Sequence, residues 1–225
     1  LVPEYALIDP DLLATCPSSL IAADGMDAFT QLLESFVSAK ANYFTDALAW
    51  SGMEAVQRGF FAALSDNDEG SAATGRAWMA YAALLSGITL AQAGLGSVHG
   101  LASPLGAFFP IPHGVACGTL VAMATHINIA ALRARVPHHP ALAKYARVGR
   151  LLENNPEMSD VQAQDQLVTR LSHWTEQLAL PRLSHFGVCE GDIPRIVANS
   201  RGSSMTTNPL VLDDTEIAAI VRARL

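Results

Sequence analysis

The sequence predicts an all-α, multi-helix bundle-like domain of eight or nine helices, led by a short extended N-terminal segment. Three features carry that prediction. No alternating apolar and polar pattern of any length appears, so no half-buried strand is expected. Apolar residues recur instead at helical spacing, as Phe29, Leu32, Leu33, Phe36 and Val37 do. Half of the 225 residues are hydrophobic and only 16% are charged, which excludes a disordered chain and provides enough apolar surface for a sizeable core.

Taken in order, Tyr5 to Ile8 reads as a short strand or extended lead-in, stopped by Asp9-Pro10. Pro17-Ser18-Ser19 starts a brief helix that Gly25 breaks, and a second stretch from Asp24 to Ser38 is helical. On the latter, Asp27, Gln31 and Glu34 share a face away from the apolar stripe. Thr45-Asp46 caps a helix running to Leu64, and Ser65 to Gly70 is a polar loop. A long helix spans Ser71 to Ala93. Gly94 and Gly96 then punctuate the chain before a short helix carrying His99. After the Pro110-Ile111-Pro112 turn a helix runs from His113 to about Ala134. His138-His139-Pro140 reads as a loop with exposed histidines. Amphipathic helices follow over Ala141 to Glu153 and Ser159 to Leu180, with a short one over Asp192 to Asn199. Thr206 to Pro209 is a turn, and Asp213 caps a final helix. There is no internal repeat, so the whole chain, residues 1–225, is read as one helical unit.

Composition excludes several functions. The 14 basic against 21 acidic residues give a net charge of −7, with no basic patch for a nucleic-acid backbone. Cys16, Cys117 and Cys189 are odd in number and form no CxxC pair, which argues against a disulfide framework and for a reducing cytoplasm. The apolar run from Ala77 to Gly96 has Ser, Thr, Gln and small residues and no flanking Lys/Arg cluster, so it reads as a fully buried helix rather than a membrane span. The start lacks a signal peptide pattern and an initiator Met, and the chain is expected to be a piece of a longer one. No GxxxxGK[ST], HExxH, GxSxG or CxxC motif is present. GLGSVHG departs from a dinucleotide loop, because its third glycine comes one place late and no strand precedes it.

The chemistry concentrates in GLGSVHGLASPLGAFFPIPHGVACG, residues 94–118, inside an uncharged run from Ala77 to Leu132. Its histidines, His99 and His113, are headed for a dry interior, and a buried imidazole needs a hydrogen-bond partner or a metal. Each is followed by Gly, which lets other groups approach closely. With Asp27 from an earlier helix they form a carboxylate and two imidazoles, a donor set that suits Fe²⁺ or Zn²⁺, and an open fourth position makes such a site catalytic. Gln31, one turn from Asp27, could supply a neutral oxygen. Phe108 and Phe109, with the apolar wall from Ala102 to Leu105, either shape a substrate pocket or pack in the core.

GMDAFTQLLESFVS, NYFTDALAW, the VHG…SPLG…IPHG block and TTNP, in this order, resemble the helical C-terminal domain of the iron-containing (group III) alcohol dehydrogenases, a dehydroquinate synthase-like fold. The similarity covers essentially the whole chain. It implies an oxidoreductase that interconverts an alcohol and its aldehyde or ketone. In that family a Rossmann-like N-terminal domain, absent from this chain, binds NAD or NADP, and the helical domain holds a divalent metal beside the cleft. The family's metal ligands match Asp27, His99 and His113. Two positions depart from its pattern. Gln31 stands where the family has its second ligand, in D-A-x-x-H, and Ser103 replaces a histidine near the nicotinamide, in H-x-x-x-H-P-L-G. Ser103 passes a hydrogen bond but does not act as an imidazole acid or base. Leu12, in DPDLL, resembles a position close to the cofactor. The resemblance also implies a small-molecule alcohol or aldehyde substrate, no nucleic-acid or membrane partner, and a homodimer or higher homo-oligomer. A maleylacetate reductase-like enzyme and a non-catalytic helical oligomerisation or metal-binding fragment are the rival readings.

Overall fold

Nine α-helices wind around a single apolar core in the computed structural model, which describes residues 4–65 and 68–225; among these residues there is no strand. They are α1 Ser18–Val37, α2 Tyr43–Ala63, α3 Glu69–Ala93, α4 Ser97–Phe108, α5 His113–Arg135, α6 Pro140–Glu153, α7 Asp160–Gln177, α8 Ile193–Asn199 and α9 Asp214–Arg222. Residues 66 and 67 of the expected Ser65–Gly70 loop, and residues 1–3, lie outside the described residues.

Helix α1 is the axis of the molecule. It packs against α2, α3, α5 and α6, and its Phe29, Leu32, Leu33 and Phe36 are wholly buried. Trp174 of α7 gathers Phe29, Phe60 and Phe61 around it in edge-on pairs, with ring centroids 5.4, 5.9 and 5.6 Å away. One aromatic knot thus ties α1, α2 and α7 together.

The expected break at Gly25 does not occur. Helix α1 runs straight through it, and the missing side chain makes room for the Phe60 ring, which a Cβ there would overlap. Close packing outweighs the modest helix penalty of a single glycine. The cap of α2 is Asn42 rather than Thr45-Asp46: Asn42 Oδ1 accepts from the Phe44 and Thr45 N–H groups, and Thr45 Oγ1 accepts from the Asn42 N–H, a reciprocal box. Helix α3 begins at Glu69, capped by Asp68, two residues before the expected start.

Tyr5 to Ile8 forms no strand and is extended and exposed, leading into a 3-10 turn at Pro10–Leu13. His139 is not a free loop histidine. Its Nδ1 accepts from the Ala141 N–H at 3.2 Å and caps α6, while His138 is exposed. Helix α7 stops at Gln177, short of the expected Leu180.

The run Ala77 to Gly96 is also not fully buried as expected. Helix α3 buries Met79, Ala82, Leu85 and Thr89 and leaves Tyr81, Leu84, Ile88 and Leu90 exposed. Among the described residues one helix, α5, is long and apolar enough to cross a membrane, and most of it is enclosed by α1, α4, α7 and α9.

The C-terminal third reaches back to brace the segment between α3 and α4. Thr207 Oγ1 donates to the Leu95 carbonyl at 2.6 Å, and Asn208 Oδ1 accepts from the Ser97 N–H at 3.1 Å. Asn208 Nδ2 donates to Asn128 Oδ1, and Asn128 Nδ2 donates to Ser97 Oγ. This closed ring of buried amides fixes where α4 starts, and so where His99 sits.

Candidate metal centre

Three helices deliver the site. The middle of α1 supplies Asp27, the first turn of α4 supplies His99, and α5 supplies His113 at its first position, directly after Pro112. Asp27 Oδ1 lies 3.1 Å from His99 Nε2, and Asp27 Oδ2 lies 3.6 Å from His113 Nε2. The two rings stand 5.5 Å apart, centroid to centroid. The three residues picked from the sequence therefore converge.

A fourth group joins them that the sequence reading did not select. Cys117, one turn after His113 on α5, is fully buried, with Sγ 3.6 Å from both His99 Nε2 and His113 Nε2. One donor atom from each of Asp27, His99, His113 and Cys117 lies within 4.8 Å of the others. The H-x-x-x-C spacing, which puts both side chains on one helix face, is the signal that a search for CxxC pairs passes over.

His99 is held from behind by Glu34. Glu34 Oε2 accepts from His99 Nδ1 at 2.7 Å and from the Gly96 N–H at 3.0 Å, while Oε1 accepts from the Val98 N–H at 2.7 Å. A buried carboxylate thus sits on the open N–H groups of the α4 N-terminus, where the helix dipole favours negative charge. With Nδ1–H given to Glu34, Nε2 points at Asp27 and Cys117, and it is the nitrogen that would give up its proton to take a metal. Glu34 shares its helix face with Asp27 and Gln31, as the sequence predicted, but its role becomes visible only once α4 is placed.

The electrostatics follow from this nest. Burial opposes a charge on His99, but hydrogen bonds with Asp27, Cys117 and Glu34 outweigh it and push its pKa up to about 12. Burial likewise works against ionised Asp27, and the His99 hydrogen bond with the charges of His99 and His113 holds its carboxyl below the usual range. Burial drives the Cys117 thiol up to about 12, with His99 only partly offsetting it. Asp24 is raised by burial and by its neighbour Asp27. Asp27 thus has a cationic or donor group on each oxygen. A divalent cation would satisfy the same carboxylate, and the oxygen, nitrogen and sulfur donors present fit zinc or iron.

The remaining predicted residues lie around this centre. Gln31 donates from Nε2 to Asp27 Oδ2 at 3.4 Å and so meets the cluster through Asp27. Ser103 is exposed, one turn after His99 on α4. Leu12 is 76% exposed in the Pro10–Leu13 turn and lines an open cavity of about 500 Å³ together with Leu7, Ile8, Cys16 and, from α1, Asp24 and Ala28. That cavity and the cluster share α1, with Asp27 between Asp24 and Ala28 in sequence. Phe108 and Phe109 are half-buried against the core, and Arg195 stacks over Phe108 at 3.8 Å. The cluster opens outward at His113, whose side chain is 57% exposed, whereas that of His99 is 5% exposed.

Residues 21–225 match the profile of the Fe-containing alcohol dehydrogenase family, C-terminal. The chain is 32% identical over 224 residues to 1,3-propanediol dehydrogenase of Klebsiella pneumoniae, covering 98% of this chain and 55% of that protein. It is 27% identical over 227 residues to NAD-dependent methanol dehydrogenase of Bacillus methanolicus, covering 100% of this chain and 57% of that one. Among solved structures, 1,3-propanediol oxidoreductase superposes with a TM-score of 0.85 at 31% identity, over 96% of this chain and 55% of that chain. The chain therefore spans about half the length of the relatives it matches.

Proposed function

This chain belongs to the iron-containing alcohol dehydrogenase family, in its C-terminal part, and from that premise we propose that the whole protein interconverts an alcohol and its aldehyde or ketone by hydride transfer with NAD or NADP. The observation that carries this reading is the convergence of Asp27, His99 and His113 from three helices.

These three residues would hold a divalent ion, iron or zinc, with Gln31 beside them steadying Asp27. Bound there, the ion supplies Lewis-acid polarisation at the substrate oxygen. The chain's own residues do the rest. Glu34 fixes the tautomer and the angle of His99. The exposed edge of His113 marks the side from which a small alcohol or aldehyde approaches. Ser103, one turn from His99, offers a hydroxyl for hydrogen bonding near the reacting end of the cofactor, and Leu12 offers an apolar contact to it. The cofactor is bound mainly by a Rossmann-like domain outside these residues, a proposal supported by the greater length of the relatives.

The protein is further proposed to act in the cytoplasm as a homodimer or higher homo-oligomer, without nucleic-acid or membrane partners. The net charge of −7 and three free cysteines support the first and last points, and the apolar face of α3 supports the oligomer.

The test is an assay of the full-length protein for reduction of NAD or NADP by simple primary alcohols. Removing the metal with a chelator is expected to abolish turnover, and Zn²⁺ or Fe²⁺ to restore it. Turnover unchanged by exhaustive metal removal would refute the reading.

A further inference from the structure

Resting on the metal-site reading above, we propose that Cys117 is the fourth protein ligand of the ion, giving a carboxylate, two-imidazole, thiolate centre that selects zinc over iron.

The distances carry it. A tetrahedral ion with ordinary zinc bond lengths has nitrogen-to-sulfur edges of about 3.6 Å and nitrogen-to-oxygen edges of about 3.3 Å. Cys117 Sγ lies 3.6 Å from each of the two imidazole Nε2 atoms. The Asp27 oxygens lie 3.1 and 3.6 Å from those same nitrogens. The two nitrogen-to-sulfur edges thus already match a zinc site. One donor atom from each of the four residues lies within 4.8 Å of the others, so a small inward shift around an ion brings all four into bonding range on a rigid frame. Cys117 is wholly buried in the second turn of α5, and Gly118 beside it is packed against Met26 and Leu180.

Gln31 does not compete for the corner, because its amide is engaged with Asp27. A neutral amide oxygen is a weak donor for zinc or iron, whereas a thiolate is a strong one. The site has thus exchanged a ligand on α1 for one on α5. Binding releases the thiol proton to solvent, and the sulfur carries the negative charge to the metal. A soft thiolate adds to the general order in which zinc outbinds ferrous iron, so the exchange shifts selectivity toward zinc. His113, with its side chain 57% exposed, marks the side from which a substrate oxygen would approach the centre.

The test uses the full-length protein. Zinc X-ray absorption on the wild type is expected to show one sulfur at about 2.3 Å with nitrogen and oxygen at about 2.0–2.1 Å, a result that depends on no variant folding. Cobalt-substituted protein should show a thiolate-to-cobalt charge-transfer band in the near ultraviolet that Cys117→Ser removes and Gln31→Ala retains. Cys117→Ser should also weaken zinc binding by about a hundredfold or more, beyond the usual 10–100-fold cost of disturbing an outer partner, and narrow the zinc-over-iron preference in competition. Zinc held by nitrogen and oxygen alone, in a wild type whose binding Asp27→Ala abolishes, would overturn the role of Cys117 and leave the metal site standing. A wild type that binds neither zinc nor iron would overturn both.

Discussion

Replacing Asp27 by alanine is expected to leave the fold intact, to strip the protein of its divalent metal and to cut alcohol oxidation by about a thousandfold or more. Among the described residues Asp27 is the one carboxylate that touches both imidazoles, through separate oxygens. Metal polarisation of an oxygen contributes several kcal/mol to a transition state, and about 4 kcal/mol corresponds to a thousandfold in rate. Its side chain is partly exposed and the apolar stripe of α1 lies on another face, so the fold should survive, with some stability lost because buried His99 no longer has this carboxylate partner. Metal content by elemental analysis, thermal unfolding and steady-state rates separate these outcomes. Full turnover in a metal-depleted Asp27→Ala protein would remove the metal from the mechanism.

Glu34 is expected to matter to stability and function together, in separable ways. In Glu34→Ala the Gly96 and Val98 N–H groups lose their buried acceptor, and the weaker contact with the His99 N–H goes too. Leaving buried donors unpaired costs about 1–3 kcal/mol each, so a loss of about 3 kcal/mol or more should appear in urea unfolding. Glu34→Gln keeps one acceptor oxygen, enough for only one of the Gly96 and Val98 N–H groups that bond separate oxygens of Glu34, and lacks the charge that orients His99. It should recover part of the stability while zinc affinity stays about 10–100-fold weaker than in wild type. If Glu34→Gln restored stability and metal affinity alike, Glu34 would be only a cap for α4.

How much of this could be read beforehand depends on the range of the interaction responsible. The helices were legible because apolar spacing is local, and Asp213 announced the last of them by capping. His99 and His113 were legible as polar groups inside the uncharged run of residues 77–132, and Asp27 as the carboxylate that completes a donor set with them; the structure brings the three together. The misreadings came from contacts the sequence does not show. Gly25 resembles a helix breaker until Phe60 is seen to occupy its empty side. The apolar run of α3 resembles a buried helix, yet half of its circumference has no neighbour among the described residues. Cys117 entered only the cysteine count, because its meaning depends on α4 lying across the first turn of α5. Glu34 looked like one more polar residue on the Asp27 face, and only the bend between α3 and α4 puts backbone donors against it. Gln31 meets the centre through Asp27, Ser103 follows His99 by one turn on α4, and Leu12 lines the neighbouring open cavity.

The central claim is that one divalent ion sits between Asp27, His99 and His113. Anomalous diffraction from crystals of the full-length protein grown with zinc tests it most directly. The account predicts a single strong peak about 2.0–2.2 Å from an Asp27 carboxylate oxygen, His99 Nε2 and His113 Nε2. A fully occupied zinc elsewhere on the chain, with these three side chains making only the contacts they make to one another, would contradict it.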